Sequence, residues 1–468
     1  MKYSSSEAMD VLDAVLRRIK PGLEERRRVG KVAARVLSET LKLIKEFHIN
    51  ATPEYHGSYA KDTWTSSNAD LDLFILFPSF VPLEDVISKG LTLAWALAKR
   101  LRARAQENYA SHPYLELEVD RVRVDVVPAY KVSSVEEIKT PVDRTRLHTI
   151  YVLRNLPRKA RDDVRLLKQF MRGIGVYGAE IKVQGFSGYL AELLVVAFGS
   201  FISTLKNAAE WRPFKTVIDI EGYYPGRAIP PKMRGPLVVV DPVDPNRNAA
   251  AAVSLESMAR FIAAARLFIR KPSLSFFFPA LSSPTISEIQ QIIRSRGTHI
   301  FALSFPKPSF PEDAVWGQLR RSERGIRKFL EKLGFPVYGV TSWICGGEAI
   351  ILVELGFGKL PQVKEHRGPP VYSENAEKFV EKYIESKEVV AGPFIKGNRW
   401  MVLKRRREVE VEKILMERIT EVGLSPHVLK AVRESVRVYV GVDVAEACRD
   451  EEYIRFLYSW LKRREKWL

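Results

Sequence analysis

The sequence predicts a multidomain α+β protein, and three observations carry that expectation. At roughly 100–200 residues per domain, a chain of 468 residues is too long for one core and suggests about three or four domains. Apolar residues make up 46% and neither Gly nor Pro is in excess, so the chain can bury real cores and is neither disordered nor fibrous. The hydrophobic period changes several times between that of helices and that of strands.

Residues 7–48 read as helix. Ala8, Val11, Leu12, Val15, Leu16 and Ile19 recur at helical spacing, Pro21-Gly22 breaks the run, and a second amphipathic stretch extends from Val32 to Phe47. From Phe74 to Pro78 and from Leu115 to Pro128 the pattern is that of strands, the second crossing a turn at Asp120-Arg121, with a helix at 84–107 between them. The first 150 residues therefore read as a mixed α+β unit with several antiparallel partners. Residues 160–215 and 250–270 are apolar and helix-rich, notably Val164–Met171, Tyr189–Phe201 and Ser257–Phe268, and predict a helical middle domain. A Pro-punctuated stretch at 272–284 leads to a second α+β pattern. It has a helix at 312–332, strands at Val337–Trp343 and Ala349–Leu355, short elements to about residue 407, and closing helices near 408–420 and 450–467.

Lys and Arg number 74 against 56 Asp and Glu, a net charge of +18 with a pI near 9.7. That suits a polyanionic partner such as a nucleic acid, although a solvated basic surface would also account for it. No uninterrupted apolar run reaches the ~20 residues of a spanning helix, and Met1-Lys2-Tyr3-Ser4 does not open a signal peptide. The expectation is a soluble cytoplasmic protein with no membrane partner. Cys345 and Cys448 are far apart and lack a CxxC spacing, which argues against a thiolate zinc site and against a disulfide scaffold. The seven histidines form no ligand cluster, so any metal falls to carboxylates.

Chemistry concentrates in His56-Gly57-Ser58-Tyr59-Ala60-Lys61-Asp62-Thr63-Trp64 and the following Asp70-Leu71-Asp72-Leu73. A Gly-Ser turn opening a helix frees backbone N–H groups for phosphate, and Ser58 and Lys61 add a hydroxyl and a cation. Asp70 and Asp72, two apart on a strand, leave the same face while Leu71 and Leu73 point to the core. Two such carboxylates repel unless a cation lies between them, and a hard divalent ion that keeps substrate phosphates in its shell answers that need. Asp125, in Val122-Arg123-Val124-Asp125-Val126-Val127-Pro128, is the candidate third acid. Taken singly, an Asp is more often a turn or strand-edge carboxylate and a Gly-Ser a plain turn; the combination in this order carries the reading.

A Gly-Ser, a helix, an acidic-x-acidic strand and a third acid on a later strand resemble the pattern of the DNA-polymerase-β-like nucleotidyltransferase superfamily. Further motifs narrow the resemblance: Gly57-Ser58-Tyr59-Ala60-Lys61-Asp62-Thr63, Val124-Asp125-Val126-Val127-Pro128, Val142-Asp143-Arg144-Thr145 with His148, Arg165-Leu166-Leu167-Lys168, Gly175-Val176-Tyr177-Gly178-Ala179-Glu180, Gly185-Phe186-Ser187-Gly188-Tyr189, and Val240-Asp241-Pro242-Val243-Asp244 with Arg247-Asn248. In this order they look like the archaeal class I CCA-adding enzymes, over nearly the whole chain and most strongly to about residue 275. Two positions depart from the commonest family pattern, Asp70 where Glu is frequent and Lys61 where Arg is frequent; metal geometry and phosphate grip are the details this touches.

The resemblance implies a polymerase-β-like catalytic head with a mixed or antiparallel sheet at 1–153, and a helical, nucleotide-binding neck at 154–280. A tRNA-binding body and tail would occupy 281–468, the tail at about 297–390 ferredoxin-like and the body helical. Asp70, Asp72 and Asp125 would be the catalytic ligands of Mg²⁺. Gly57, Ser58 and Lys61 would hold the triphosphate, met from the neck by Lys168 and Tyr177. Thr145 and His148 would line the nucleotide or sugar pocket, and Arg247 would contact the incoming base and help to select C and A. The implied reaction adds C, C and A to the 3′ end of tRNA from CTP and ATP without a template. Without the family, Lys168 reads more readily as a solvated lysine, Tyr177 as a core aromatic and Arg247 as a turn residue.

RNA binding is expected across the back half. Arg320, Arg321, Arg324, Arg327 and Lys328 lie on the helix around 316–334, and Asn398-Arg399-Trp400 runs into Lys404-Arg405-Arg406-Arg407. Phosphate contacts of this type give affinity without reading sequence. Two readings compete: a poly(A) polymerase-like RNA nucleotidyltransferase, and a non-catalytic tRNA-binding module. The sequence leaves the oligomeric state, including a homodimer, open.

Overall fold

The structure, a computed structural model, describes residues 5–109, 112–280 and 283–468. Met1–Ser4, and residues 281 and 282 within the Pro-punctuated stretch, lie outside the described residues. The chain divides into two compact units: one runs to residue 281 and takes in Glu465–Leu468, the other is Ser282–Arg464.

The first unit opens with helices α1 (Ser5–Ile19) and α2 (Leu23–Glu46), separated at Pro21-Gly22 as the sequence indicates. Strand β1 (Thr52–His56) runs directly into the short helix α3 (Gly57–Lys61), followed by β2 (Asp70–Phe77), α4 (Leu83–Leu101), β3 (Arg104–Tyr109), β4 (Pro113–Val119) and β5 (Val122–Tyr130). The sheet order is β1-β2-β5-β4-β3; β2 and β5 are parallel neighbours and the other pairs antiparallel. Asp120 and Arg121, both at positive φ (49° and 61°), form the two-residue turn between β4 and β5. The apolar set Leu71, Leu73, Ile75, Leu117, Val124 and Val126 is fully buried in one core with residues of α2 and α4, while the other face of β2 and β5 carries Asp70, Asp72, Arg123 and Asp125 at one end and a small apolar cluster of Phe74, Leu76 and Ala129 at the other. The helix expected at 84–107 stops at Leu101, where Arg102 turns left-handed (φ 52°), and its last residues form β3. That strand is a polar, mostly exposed edge without apolar alternation, so nothing in its pattern separates it from the helix.

The rest of this unit comprises α5 (Arg144–Asn155), α6 (Arg161–Gly173), α7 (Gly188–Phe198), α8 (Phe201–Ala208), three short strands β6 (Val217–Asp219), β7 (Val238–Asp241) and β8 (Asp244–Asn248), and α9 (Leu255–Arg270). Phe170 lies at the centre of an aromatic core with Phe201, Phe261, Phe268, Phe276 and Phe277. The apolar run Tyr189–Phe201 falls on two helices, broken at Gly199 (φ 83°), with Ser200 capping the second. No single helix among the described residues is long and apolar enough to cross a membrane; the bent pair α7 and α8 is apolar because it lines this core.

In the second unit, α10 (Ile286–Arg296), β9 (His299–Pro306), α11 (Glu312–Leu333), β10 (Val337–Cys345) and β11 (Glu348–Leu355) precede β12 (Val363–Pro370), α12 (Ala376–Ile384), β13 (Val389–Lys396) and β14 (Arg399–Arg405). The chain continues through α13 (Val411–Glu417), α14 (Pro426–Glu434), β15 (Arg437–Val440) and α15 (Glu451–Lys462). Two antiparallel sheets result, β10-β11-β9-β15 and β12-β14-β13. Cys345 and Cys448 form a disulfide across 103 residues, with their Cα atoms 6.3 Å apart, which overturns the expectation drawn from their spacing. The apolar residues Tyr453, Leu457 and Leu461 of α15 share one core with Ala302 and Leu352 of the sheet, and that packing brings the two sulfurs together.

Candidate active site

Three carboxylates gather on the polar face of the first sheet. In the parallel register of β2 and β5, Asp72 lies opposite Asp125 and Asp70 opposite Arg123. Burial, reinforced by the neighbouring Asp125 and Asp70 carboxylates, pushes Asp72 up to about 7. Burial raises Asp125 as well, against the pull of the Arg123 guanidinium, whose Nε and Nη2 donate to its two oxygens at 3.2 and 3.1 Å. Arg123 also reaches Glu116 at 3.1 Å, a role that the sequence reading did not assign. Crowded carboxylates on one face, held at the cost of their ionisation, are a hard-oxygen donor set short of positive charge, and a divalent cation supplies it. Gly57, at φ +63°, closes the site: a Cβ there would stand 1.7 Å from Asp72 Oδ2, so the backbone of α3 passes directly against this acid.

Beside the acids lies a buried cationic pair. Lys61 Nζ is 2.5 Å from Oε2 of Glu192, and Lys168 Nζ is 3.1 Å from Oε1 of the same carboxylate. Thr63 Oγ1 donates to Oε1 at 2.5 Å. Lys61, Lys168 and Glu192 are 6%, 3% and 1% exposed, so neither lysine is a solvated surface group. Burial would raise the Glu192 carboxyl, but the two ammonium groups and the Thr63 hydroxyl hold it down at about 2. Burial lowers Lys168, and Glu192 opposes that. Lys168 also donates to Thr63 O at 3.3 Å and Oγ1 at 3.0 Å, so all three of its N–H groups are taken. Tyr177 is half-buried beneath the Arg172 guanidinium, 4.4 Å from its ring. Its hydroxyl and the end of Lys168 are both close to Gly188.

A second cluster centres on Asp241, at the end of β7 and fully buried. It accepts from Arg247 Nη1 at 2.7 Å, His148 Nε2 at 3.0 Å, Tyr189 Oη at 3.1 Å and Val243 N at 3.1 Å. Burial opposes ionisation of Asp241, but the bond from His148 and the Arg247 charge hold it at about 2. Burial lowers His148, so its neutral form donates from Nε2 and leaves Nδ1 as an acceptor; its ring stacks on Tyr189 with centroids 3.8 Å apart. Lys61 joins the clusters, since its charge acts on Asp72 and on His148 and its Nζ lies 5.9 Å from the Tyr189 ring centre. Thr145 lies on α5, which packs against α3, the helix that carries Ser58.

Several motif residues turn out to be scaffolding. Asp62, left-handed at φ 51°, receives Arg26, Arg161 and Arg165. Arg165, 1% exposed, also donates to the carbonyl of Trp64 at 2.8 Å, tying α6 to the loop before β2. Asp143 accepts the backbone N–H groups of Tyr130, Lys139 and Thr140. Asn248 pins the β7–β8 hairpin through Val239 N, Ala250 N and the carbonyls of Met233 and Leu237.

The candidate RNA residues all fall in the second unit. Arg324 is exposed on α11, whereas Arg320 pairs with Glu323 at 3.2 Å and lies over Trp316. On the other sheet Arg405 and Arg407 are exposed, Lys404 pairs with Glu388 at 2.8 Å, Arg399 donates to the Gly368 carbonyl at 3.1 Å, and Arg406 is half-buried. Arg407, although exposed, also lies 3.6 Å from Glu388.

The mixed sheet, the Gly57 turn into α3 and the acids on adjacent strands define the head of a nucleotidyltransferase. Comparison with known families agrees: residues 37–148 match the nucleotidyltransferase domain, 162–278 the second domain of tRNA nucleotidyltransferase, and 296–441 the C-terminal domain of CCA-adding enzymes. The CCA-adding enzyme of Methanoregula boonei is 38% identical over 449 residues, 95% of this chain and 94% of its own. Those of Pyrobaculum islandicum and Methanothermobacter thermautotrophicus are 41% and 36% identical, over 87% and 96% of this chain and 93% and 97% of theirs. A solved cytoplasmic RNA terminal U-transferase aligns over 58% of this chain and 98% of its own, at a TM-score of 0.45 and 15% identity. The chain belongs to the family of CCA-adding enzymes.

Proposed function

We infer that this protein adds C, C and A to the 3′ end of tRNA, taking CTP and ATP and releasing pyrophosphate, without a nucleic-acid template. The observation that carries the reading is the placement of Asp70, Asp72 and Asp125 on one sheet face beside the buried Lys61, in a chain of this family. Asp70, Asp72 and Asp125 would hold Mg²⁺, which when bound supplies charge neutralisation at the phosphates and lowers the pKa of the attacking hydroxyl. The protein's own groups do the rest. The first N–H groups of α3 lack helical partners by geometry and, with Ser58 Oγ and Lys61 Nζ, receive the triphosphate. Gly57 lets that backbone approach Asp72, so phosphate and acids share one small volume.

The base is placed by the Asp241 cluster. Asp241 fixes Arg247 and His148, Tyr189 backs the imidazole, and His148 Nδ1 stands as an acceptor for a sugar or base donor. A held guanidinium offers a rigid fork, which discriminates hydrogen-bonding edges better than a mobile one. Thr145 on α5 is assigned to the wall of the same pocket. Arg324, Arg405 and Arg407, exposed in the second unit, are the cations best placed to meet tRNA phosphates.

The test is incorporation of labelled CTP and ATP, separately and together, onto tRNA lacking its 3′ terminus, with Mg²⁺ and with Asp125→Ala alongside. Two C followed by one A, abolished in the variant, is the expected result. A long A tail would establish a poly(A) polymerase instead, and tight tRNA binding without incorporation a binding module.

A further inference from the structure

We propose that Cys345, Cys448 and Asp450 form a redox-gated zinc site. Once the disulfide is reduced, the two thiolates and the carboxylate take one Zn²⁺, which ties together the same elements that the disulfide ties. The sulfurs of both cysteines and a carboxylate oxygen of Asp450 lie within 4.8 Å of one another. Cys345 is the last residue of β10, at the turn into β11, and Cys448 and Asp450 stand just before α15. A shared ion would therefore pin the β10–β11 hairpin to the closing helix. Where a reductant opens the bridge, that link would persist in another chemical form.

The surroundings suit a metal better than a disulfide alone. Cys345 Sγ is 3.4 Å from Asp450 Oδ2, and the Asp450 backbone N–H donates to Cys448 Sγ at 3.4 Å. A disulfide sulfur has no proton to offer a carboxylate, so the first contact gains nothing in the oxidised state, whereas a cation held between the two groups accounts for it. A backbone N–H aimed at the other sulfur is a donor of the kind that stabilises a thiolate. Cys448 is buried and Cys345 half-buried against the core of Tyr453, Ile454 and Leu457, while Asp450 is exposed. The site is closed on the sulfur side and open on the carboxylate side, which leaves the fourth position of a tetrahedral ion to water. Thiolates select zinc over magnesium, a hard ion that prefers oxygen. The Cα atoms are 6.3 Å apart, toward the wide end of the range of about 4.4–6.8 Å for bridged cysteines. Side-chain rotation can therefore part the sulfurs to the roughly 3.8 Å that tetrahedral zinc with bonds of about 2.3 Å requires. The chemistry balances. A dithiol reductant gives two electrons and two protons to the S–S bond and closes its own disulfide; Zn²⁺ then displaces the two thiol protons to solvent and forms two Zn–S bonds and one Zn–O bond.

The test reduces the full chain with a phosphine, frees it of metal and oxygen, and titrates it with Co²⁺. Cobalt bound to thiolate gives a charge-transfer absorption that cobalt bound only to carboxylates lacks, so uptake by Asp70, Asp72 and Asp125 is silent. The expected result is saturation at one equivalent, with Zn²⁺ displacing the cobalt and the oxidised chain giving no such absorption. Zn²⁺ should also raise the melting temperature of the reduced chain by several degrees more than that of the oxidised chain. Asp450→Asn, at an exposed position, should fold and form the disulfide yet bind cobalt at least tenfold more weakly when reduced. Cys448→Ser should abolish the absorption; should its buried position prevent folding, Cys345→Ser, half-buried, carries the same test. Absence of the absorption in the reduced wild type, or binding by Asp450→Asn as tight as wild type, overturns the three-ligand site. Zinc uptake with equal melting shifts in the two redox states overturns its role as a tie.

Discussion

Gly57→Ala tests the link between backbone and chemistry most directly. The new Cβ would stand 1.7 Å from Asp72 Oδ2 and 2.7 Å from its Cγ, against ordinary contacts of about 3.5 Å, so the carboxylate must retreat by roughly 1.5–2 Å. The obstacle is the far end of a side chain, which can turn away, so the fold should survive. The φ of +63° adds about 1–2 kcal/mol of left-handed strain for an L-residue, or a fall of several degrees in melting temperature for a unit of this size. The chemistry should suffer far more, because displacing a reacting-site group by about 1 Å can cost on the order of 10²-fold in rate. The assay is steady-state CTP incorporation with a parallel thermal melt. A loss near 10²-fold in kcat with only a modest melting shift is expected; activity within threefold of wild type would show that Asp72 does not need this approach, and the argument would fail.

Three further outcomes follow from separate parts of the molecule. Reducing the Cys345–Cys448 bridge releases a 103-residue connection, and the second unit should lose about 2–4 kcal/mol in denaturant unfolding while pyrophosphate affinity stays unchanged; an unchanged midpoint under reductant would refute this. Burial lowers His56 to about 4, with both ring nitrogens lacking a hydrogen-bond partner, so it is neutral when folded and takes a proton more readily when unfolded. Its stabilising contribution is complete above the unfolded value of 6.5 and drains away as pH falls toward 4. His56→Leu should therefore flatten stability between pH 8 and pH 5 by about 2 kcal/mol, and an unaltered pH profile would contradict the assignment. Neutralising Arg405 and Arg407 should weaken tRNA binding and reduce its log–log salt slope by about 1–2, whereas Arg320→Ala, already committed to Glu323, should leave the slope alone; the reverse pattern would move the RNA surface elsewhere.

Features written in short-range pattern are legible in the sequence. Asp70 and Asp72 alternate with Leu71 and Leu73, and Asp125 with Val124 and Val126, so period and polarity alone put the acids on one face. The turn at Asp120-Arg121 sits between two such runs and is found there. What escapes a reading of the sequence is held by distant partners. Glu192 is the one charged residue in the apolar helix Gly188–Phe198, a signal available in the sequence, yet only the fold reveals that it faces Lys61 and Lys168. Asp241 stands in a motif that says nothing of its role, because its partners come from α5, α7 and β8. The disulfide leaves no trace, since nothing local couples residues 103 apart. The break at Gly199 is hidden because an apolar run looks the same whether one helix or two bury it.

The parallel pairing of β2 with β5 sets how far the backbone of Asp72 stands from that of Asp125, and that spacing is written in main-chain hydrogen bonds that lie outside the β7–β8 hairpin. Asp241 and Arg247 lie on the β7–β8 hairpin, whose register shifts between Val240 and Asp241, while His148 and Tyr189 reach Asp241 from α5 and α7. Mutation of the hairpin therefore leaves the backbone spacing of Asp72 and Asp125 untouched. On the proposed reading, variation in the hairpin would change what is fed to the three acids and leave the acids themselves in place.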